Sequence, residues 1–177
     1  MTQLLQISLT TNAADPRFGK NPALTPTVDG YQIHQPAQEQ LRAIQKAGRS
    51  LDGLGVQQVQ LTGSDWTVDK QWAFYQGFCS AKKLGGVSWT GTGQQVEQLV
   101  QLQQCFAWAK KQINQTPEDL SPQTLCAEAT AFLEAVAPRG SITARTIAGD
   151  ELLAEGWIGL HAVGRGSDRA PDRKSVV

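Results

Sequence analysis

The chain has 177 residues, with 16 Lys and Arg against 16 Asp and Glu, 40% apolar residues and five tryptophans. That apolar share excludes a disordered chain. The balanced charge excludes the whole-molecule field that draws a protein to nucleic acid or an anionic membrane. The opening MTQLLQISLTT lacks the basic-then-apolar pattern of a signal peptide, and no segment approaches the roughly 20 apolar residues of a membrane helix, so the expected location is the cytoplasm with no membrane partner.

Leu4 to Leu9 alternates apolar and polar residues, the period of a half-buried strand. Asn12 to Pro26 carries three prolines and reads as a loop. Tyr31 to His34 reads as a short strand. Pro36 suits the first turn of a helix, and Leu41, Ile44, Gly48 and Leu51 then share one face, with Gly48 allowing close backbone approach. Asp52 to Gly55 stops that helix before a strand over Val56 to Leu61, which makes a strand, helix, strand unit with a parallel pair.

Val68, Trp72, Tyr75 and Cys79 fall on one face of a second helix that ends near Lys83 to Gly86, ahead of a strand at Val87 to Trp89. Its aromatic residues Trp72, Phe74, Tyr75 and Phe78 invite comparison with a ligand platform, but the helical spacing favours core packing. The strongest periodic signal is Leu99, Leu102, Phe106, Ala109 and Ile113, a stripe of about four turns that Cys105 and Trp108 widen. Lys110 and Lys111 complement the dipole at its end and read as a solvated helix terminus. After Asn114 and Pro117, Ser121 with Pro122 is an N-cap pair for a helix lined by Leu125, Ala129, Phe132 and Val136, with Leu120 and Leu125 as a staple. Pro138 and Gly140 end it. Ile142, Ala144 and Thr146 alternate as a strand, and Asp150 to Glu155 makes a short helix closed by Gly156.

Cys79, Cys105 and Cys126 form no CxxC pair and read as buried free thiols, and His34 and His161 have no ligand neighbours at helical spacing. The GRGS of Gly164 to Ser167 resembles an anion nest but lacks both GxGxxG and a following Lys, and Ser167 beside Asp168 is no GxSxG elbow. No catalytic, cofactor-binding or metal residue is assigned in this chain.

AWAKKQINQTPEDLSPQTL and GLHAVGRGSDRAP, together with KAGRSLDGLGVQQVQLTG (Lys46 to Gly63) and QWAFYQGF (Gln71 to Phe78), resemble the leucine aminopeptidase (cytosol aminopeptidase) family. Members are two-metal cytosolic peptidases. The resemblance implies an α/β fold with a mixed, partly parallel sheet flanked by helices, a macro-domain-like N-terminal domain over 1–93. A connecting helix and joint over 94–117 and the start of a second, catalytic α/β domain over 118–177 would follow. It also implies, for the full-length enzyme, homo-hexamers, peptide substrates and two divalent ions (manganese or zinc), the ions being held by VGKGITFDSGG and NTDAEGR motifs that do not occur here.

The chain is therefore expected to be inactive alone and to serve assembly or access control. The pattern departs at Lys110 and Lys111, where the family has Arg then Asp, at Pro117, which is one place late, and after Pro171, where DRKSVV replaces an apolar strand and a charged tail is expected. A macro-like nucleotide or ADP-ribose binding module is the alternative, although Gly85, Gly86, Gly91 and Gly93 lack an acidic partner for adenine or ribose. Arg165, Arg169, Arg173 and Lys174 suggest a nucleic-acid contact that Asp168 and Asp172 largely offset.

Overall fold

The computed structural model describes residues 4–19, 22–79, 86–116, 118–137 and 141–164, together with the backbone of 173–176. The chain divides into two compact units, Met1–Ala107 and Trp108–Val177. The class is mixed α/β.

The first unit is built on a five-stranded sheet of β1 (Leu5–Thr10), β2 (Leu24–Pro26), β3 (Gly30–His34), β4 (Gln58–Leu61) and β5 (Gly86–Ser88), in the order β2-β3-β1-β4-β5. β1 pairs in parallel with both β3 and β4, β4 with β5, and only β2 runs antiparallel, against β3. The expected strand, helix, strand unit is β3, α1 (Gln40–Gly53), β4, and its crossover spans β1 rather than joining neighbours.

Register puts Ile7 beside Tyr31 and Leu61, Leu9 beside Ile33, and Val59 beside Val87, so one sheet face is apolar throughout. That face packs with α1 and α2 (Val68–Phe78) into a core of Ile7, Ile33, Ile44, Leu51, Val59, Phe74 and Phe78, all fully buried. The opposite face carries Gln6, Ser8, Gln32, Gln58, Gln60 and Ser88, which are half-buried or exposed.

Several sequence expectations are corrected. The Asn12–Pro26 stretch contains a short 3-10 turn at Pro16–Phe18 and the strand β2, whose Pro26 is tolerated because it lies on an edge. α1 starts at Gln40, not Pro36, because Glu39 takes a left-handed φ of 55° that no helix can include. Leu41 is accordingly exposed, and the buried face is Ile44, Ala47, Gly48 and Leu51. At its other end the helix stops as expected, with Gly55 at φ 80° and the Val56 N–H reaching back to the Leu51 carbonyl at 3.2 Å.

α2 is buried nearly all round rather than along one stripe: Gln71, Ala73, Phe74, Tyr75, Gly77 and Phe78 are buried, and the Thr67 side chain caps its first turn. The approach inferred from Gly48 is present and reciprocal. A Cβ at Gly48 would lie 2.5 Å from the Phe74 carbonyl oxygen, and one at Gly77 would overlap the Gln45 carbonyl. α2 stops at Phe78 with Cys79 as its C-cap, earlier than the expected end at Lys83 to Gly86, of which only Gly86, in β5, is among the described residues.

α3 (Gly93–Ile113) runs through the boundary between the units. Within the first unit Leu99 is fully buried and Phe106 packs edge-on to Trp72 at 5.5 Å. The stripe is shorter than its spacing suggests, since Ile113 is 80% exposed and Cys105 lies on the surface.

In the second unit Trp108 stacks on Phe132 at 5.0 Å, and buried Gln112 donates to the Glu128 carboxylate at 2.8 Å. α4 (Pro122–Val136) starts as expected on a capping box between Ser121 and Thr124. Leu125 is exposed and no residue of α4 is fully buried. β6 is Arg145–Ala148, later than the Ile142 to Thr146 alternation, and α5 (Glu151–Ala154) ends at Gly156 with φ 79°.

α6 (Ile158–Gly164) covers residues to which the sequence assigned no element, and it ends at the glycine that opens GRGS. Residues Arg173–Val176, expected as a charged tail, form β7 antiparallel to β6, because backbone pairing asks nothing of side-chain polarity. Pro117, Pro138 and Gly140 lie outside the described residues.

Candidate functional site

Strand order reverses at β1: the chain passes from β1 to β3 on one side and then to β4 on the other. In open α/β sheets the crevice beyond the carboxyl ends of strands at such a reversal is where small molecules settle. Here Thr10 and His34 end β1 and β3 side by side, and a cavity of about 660 Å³ opens beyond them. Its walls come from the segment after β1, the residues just before β2, the end of β3 with the turn after it, and one side of α1. They include Asn12, His34, Gln35, Glu39, Arg42 and Lys46.

His34 is held at both ring nitrogens, by the Asn12 carbonyl at 2.8 Å from Nδ1 and by Thr25 Oγ1 at 2.8 Å from Nε2. A carbonyl only accepts, so Nδ1 carries a proton, and Nε2 shares its hydrogen bond with the Thr25 hydroxyl. The imidazole is therefore a strut between two segments and has no nitrogen left for a metal or for proton transfer. Beside it, the Gln35 N–H donates to the Thr10 carbonyl at 2.8 Å, which locks the turn onto β1.

The Gln35 side chain is 6% exposed, and its buried Oε1 meets no donor. Glu39, Arg42 and Lys46 follow on the cleft side of α1, and Arg42 lies 3.6 Å from the Glu39 carboxylate with both groups largely in solvent. The Glu39 side chain makes no capping bond to the first turn of α1.

The aromatic residues weighed as a ligand platform are core. Phe74, Tyr75 and Phe78 are fully buried, and only Trp72 reaches a shallow surface groove beside Leu41. Burial pushes the Tyr75 hydroxyl far above its ordinary range, with the Cys79 thiol adding to that shift and Gln103 opposing it. Of the three cysteines only Cys79 is buried; Cys105 is exposed and Cys126 is intermediate, with its Sγ 3.2 Å from Thr146 Oγ1. His161 lies 3.7 Å from the Asp150 carboxylate on the second unit's surface.

Lys110 and Lys111 stand in the last turn of α3. Gly86 sits in β5, Gly91 precedes α3 and Gly93 opens it, all apart from the cleft lining. Gly85, the GRGS residues beyond Gly164, Arg165, Asp168, Arg169 and Asp172 lie outside the described residues, as do the side chains of Arg173 and Lys174. Among the described residues no three His, Cys, Asp or Glu side chains gather as a metal site. No helix among them is long and apolar enough to cross a membrane.

Gln35 and Glu39 were invisible to sequence reading. A glutamine after a strand has no signature, and only the strand order shows that this turn faces a crevice.

Comparison with known proteins agrees with this architecture. A family model described as a peptidase matches residues 6–93, the span from β1 to the start of α3. That span is thus similar to a family described as a peptidase. Over 170 residues it is 38% identical to Peptidase B of Vibrio parahaemolyticus, and over 171 residues 36% and 37% identical to Peptidase B of Vibrio atlanticus and of Yersinia pseudotuberculosis. These matches cover 96% of this chain, which belongs to the peptidase B family. The chain spans 39% of the length of these curated relatives.

Proposed function

We propose that the chain is the N-terminal, non-catalytic portion of a two-metal cytosolic aminopeptidase of the peptidase B type, which removes N-terminal residues from peptides. The observation that carries this reading is similarity along 96% of the chain to proteins of which it spans 39%. The second unit supports it. Ile158 and Val163 are 66% and 75% exposed, and Leu125, Leu153, Trp157 and Leu160 are exposed as well, an apolar surface suited to packing against further polypeptide.

The family's two ions, manganese or zinc, do not fit the described residues. These bring no set of three donor side chains together, so no catalytic step is derived through a metal here. The part assigned to this chain is assembly into a homo-hexamer and control of peptide access, in the cytoplasm. The purified chain, incubated with manganese or zinc and amino-acyl substrates, is expected to release no N-terminal amino acid. Metal-dependent release overturns the reading.

A nucleotide-binding module of macro type is the second reading, favoured by the cleft at the strand ends. Among the described residues its walls hold no Phe, Tyr or Trp on which a base stacks. Calorimetry with ADP-ribose tests it, and heat of saturable binding would establish it.

A further inference from the structure

We propose that the groove between α1 and α2 binds a free α-amino acid with an apolar side chain. The ligand's carboxylate meets Arg42, its ammonium meets Asp69, and its side chain lies on Leu41, Trp72 and Ala73. These residues line one cavity of about 280 Å³, whose walls come from residues 41–45 of α1 and 69–76 of α2. Three observations converge on this ligand.

The first is an apolar lining open to solvent. Leu41 is 47% exposed, at the start of a helix whose other apolar residues Ile44, Ala47 and Leu51 are buried. Half-buried Trp72 and the buried Ala73 share the groove with it. An apolar side chain that displaces water there is stabilised by the burial.

The second is a pair of opposite charges on the same lining. Asp69 stands exposed in the first turn of α2 and enters no ion pair among the described residues. Arg42 lies 3.6 Å from Glu39 with both side chains largely in solvent, a loose pair that leaves guanidinium donors for an incoming carboxylate. A simple amine leaves Arg42 unmet and a fatty acid leaves Asp69 unmet. A zwitterion meets both, and the amides of Gln45 and Gln76 complete the lining with groups that donate or accept.

The third is rigidity. Gly48 and Gly77 bring each helix backbone against the other, which fixes α1 on α2. Trp72 is held by its stack on Tyr75 at 5.3 Å and its edge contact with Phe106 at 5.5 Å. A lining ordered before the ligand arrives loses little entropy on binding it. The volume falls just short of the range of about 300–1,000 Å³ that drug-sized ligands occupy, so it suits one amino acid rather than a longer chain or a nucleotide.

The site stands on the groove's own lining and not on the peptidase reading, so binding is measured without metal and independently of hydrolysis. The purified 177-residue chain is titrated with L-leucine by calorimetry and by indole and amide chemical shifts. Saturable binding is expected with Kd of about 1 mM, the Trp72 indole N–H being among the signals that move. N-acetyl-L-leucine and L-leucinamide, each lacking one charge, should bind about threefold more weakly, and glycine about tenfold more weakly. Asp69→Asn and Arg42→Gln, both at exposed positions where folding is not at stake, should each weaken leucine binding about threefold. No saturation by about 10 mM leucine overturns the proposal. So does unchanged affinity in either charge variant, or binding of glycine or of N-acetyl-L-leucinamide as tight as that of leucine.

Discussion

Gln71 and Thr90 form a closed reciprocal pair: Gln71 Nε2 donates to the Thr90 carbonyl at 2.8 Å, and the Thr90 N–H returns to Gln71 Oε1 at 3.0 Å. The same Nε2 reaches the Trp66 carbonyl at 3.3 Å, so a fully buried amide ties α2 to the turns on both sides of it. Replacing it with Leu leaves the Thr90 N–H and C=O without these partners. Gln71→Leu is expected to lower stability by about 1–3 kcal/mol, read as a lower urea midpoint at unchanged slope.

The α1–α2 crossing leaves no room for a methyl group on either glycine. Both obstacles are backbone carbonyls, which cannot swing aside as a side-chain tip does. Gly77→Ala should therefore cost about 1–3 kcal/mol, although alanine is the better helix former, and Gly48→Ala should cost a similar amount. Thermal unfolding of the two variants checks this, and a stabilised Gly77→Ala would contradict the close crossing.

The stack of Trp108 on Phe132, with planes 13° apart, is the aromatic contact that links α3 to α4 within the second unit. A double-mutant cycle through Trp108→Ala and Phe132→Ala should return a coupling of about 0.5–1.5 kcal/mol beyond the loss of buried area. Because no residue of α4 is fully buried, each single substitution should cost less than a core aromatic does.

Tyr75 sets an alkaline limit. Its folded-state pKa is raised, chiefly by burial, above an ordinary value of 10.0, so the folded chain holds the phenolic proton more tightly than the unfolded chain. The associated stability is complete below pH 10.0 and falls as pH rises past it. Tyr75→Phe should flatten this part of the loss, measured as the difference in urea midpoint between pH 9 and pH 11 for the two proteins, estimated to straddle the ordinary tyrosine range.

The parts of the fold set by local chemistry were legible in the sequence. The alternation in Leu4–Leu9, the glycine stop at Gly55 and the Ser121–Pro122 cap each depend on a few neighbouring residues, and each appears in the structure within a residue or so. What depended on distant partners was not. The phase of α1 turned on the backbone of Glu39, the all-round burial of α2 on what packs against it, and β2 and β7 on strands that complete their hydrogen bonds. The cleft belongs to the second kind. Its walls come from four separate segments, and its most informative residue, Gln35, is distinguished only by lacking a donor.

Both borders of the five-stranded sheet are blunted. On one side β2 is a three-residue antiparallel strand ending in Pro26, which has no N–H to offer; on the other, β5 is three residues long and opens on a glycine. A sheet finished in this way is a poor template for another chain's strand. Glutamines on its polar face, a residue type that ladders readily in fibrils, are thereby kept from stacking copy upon copy.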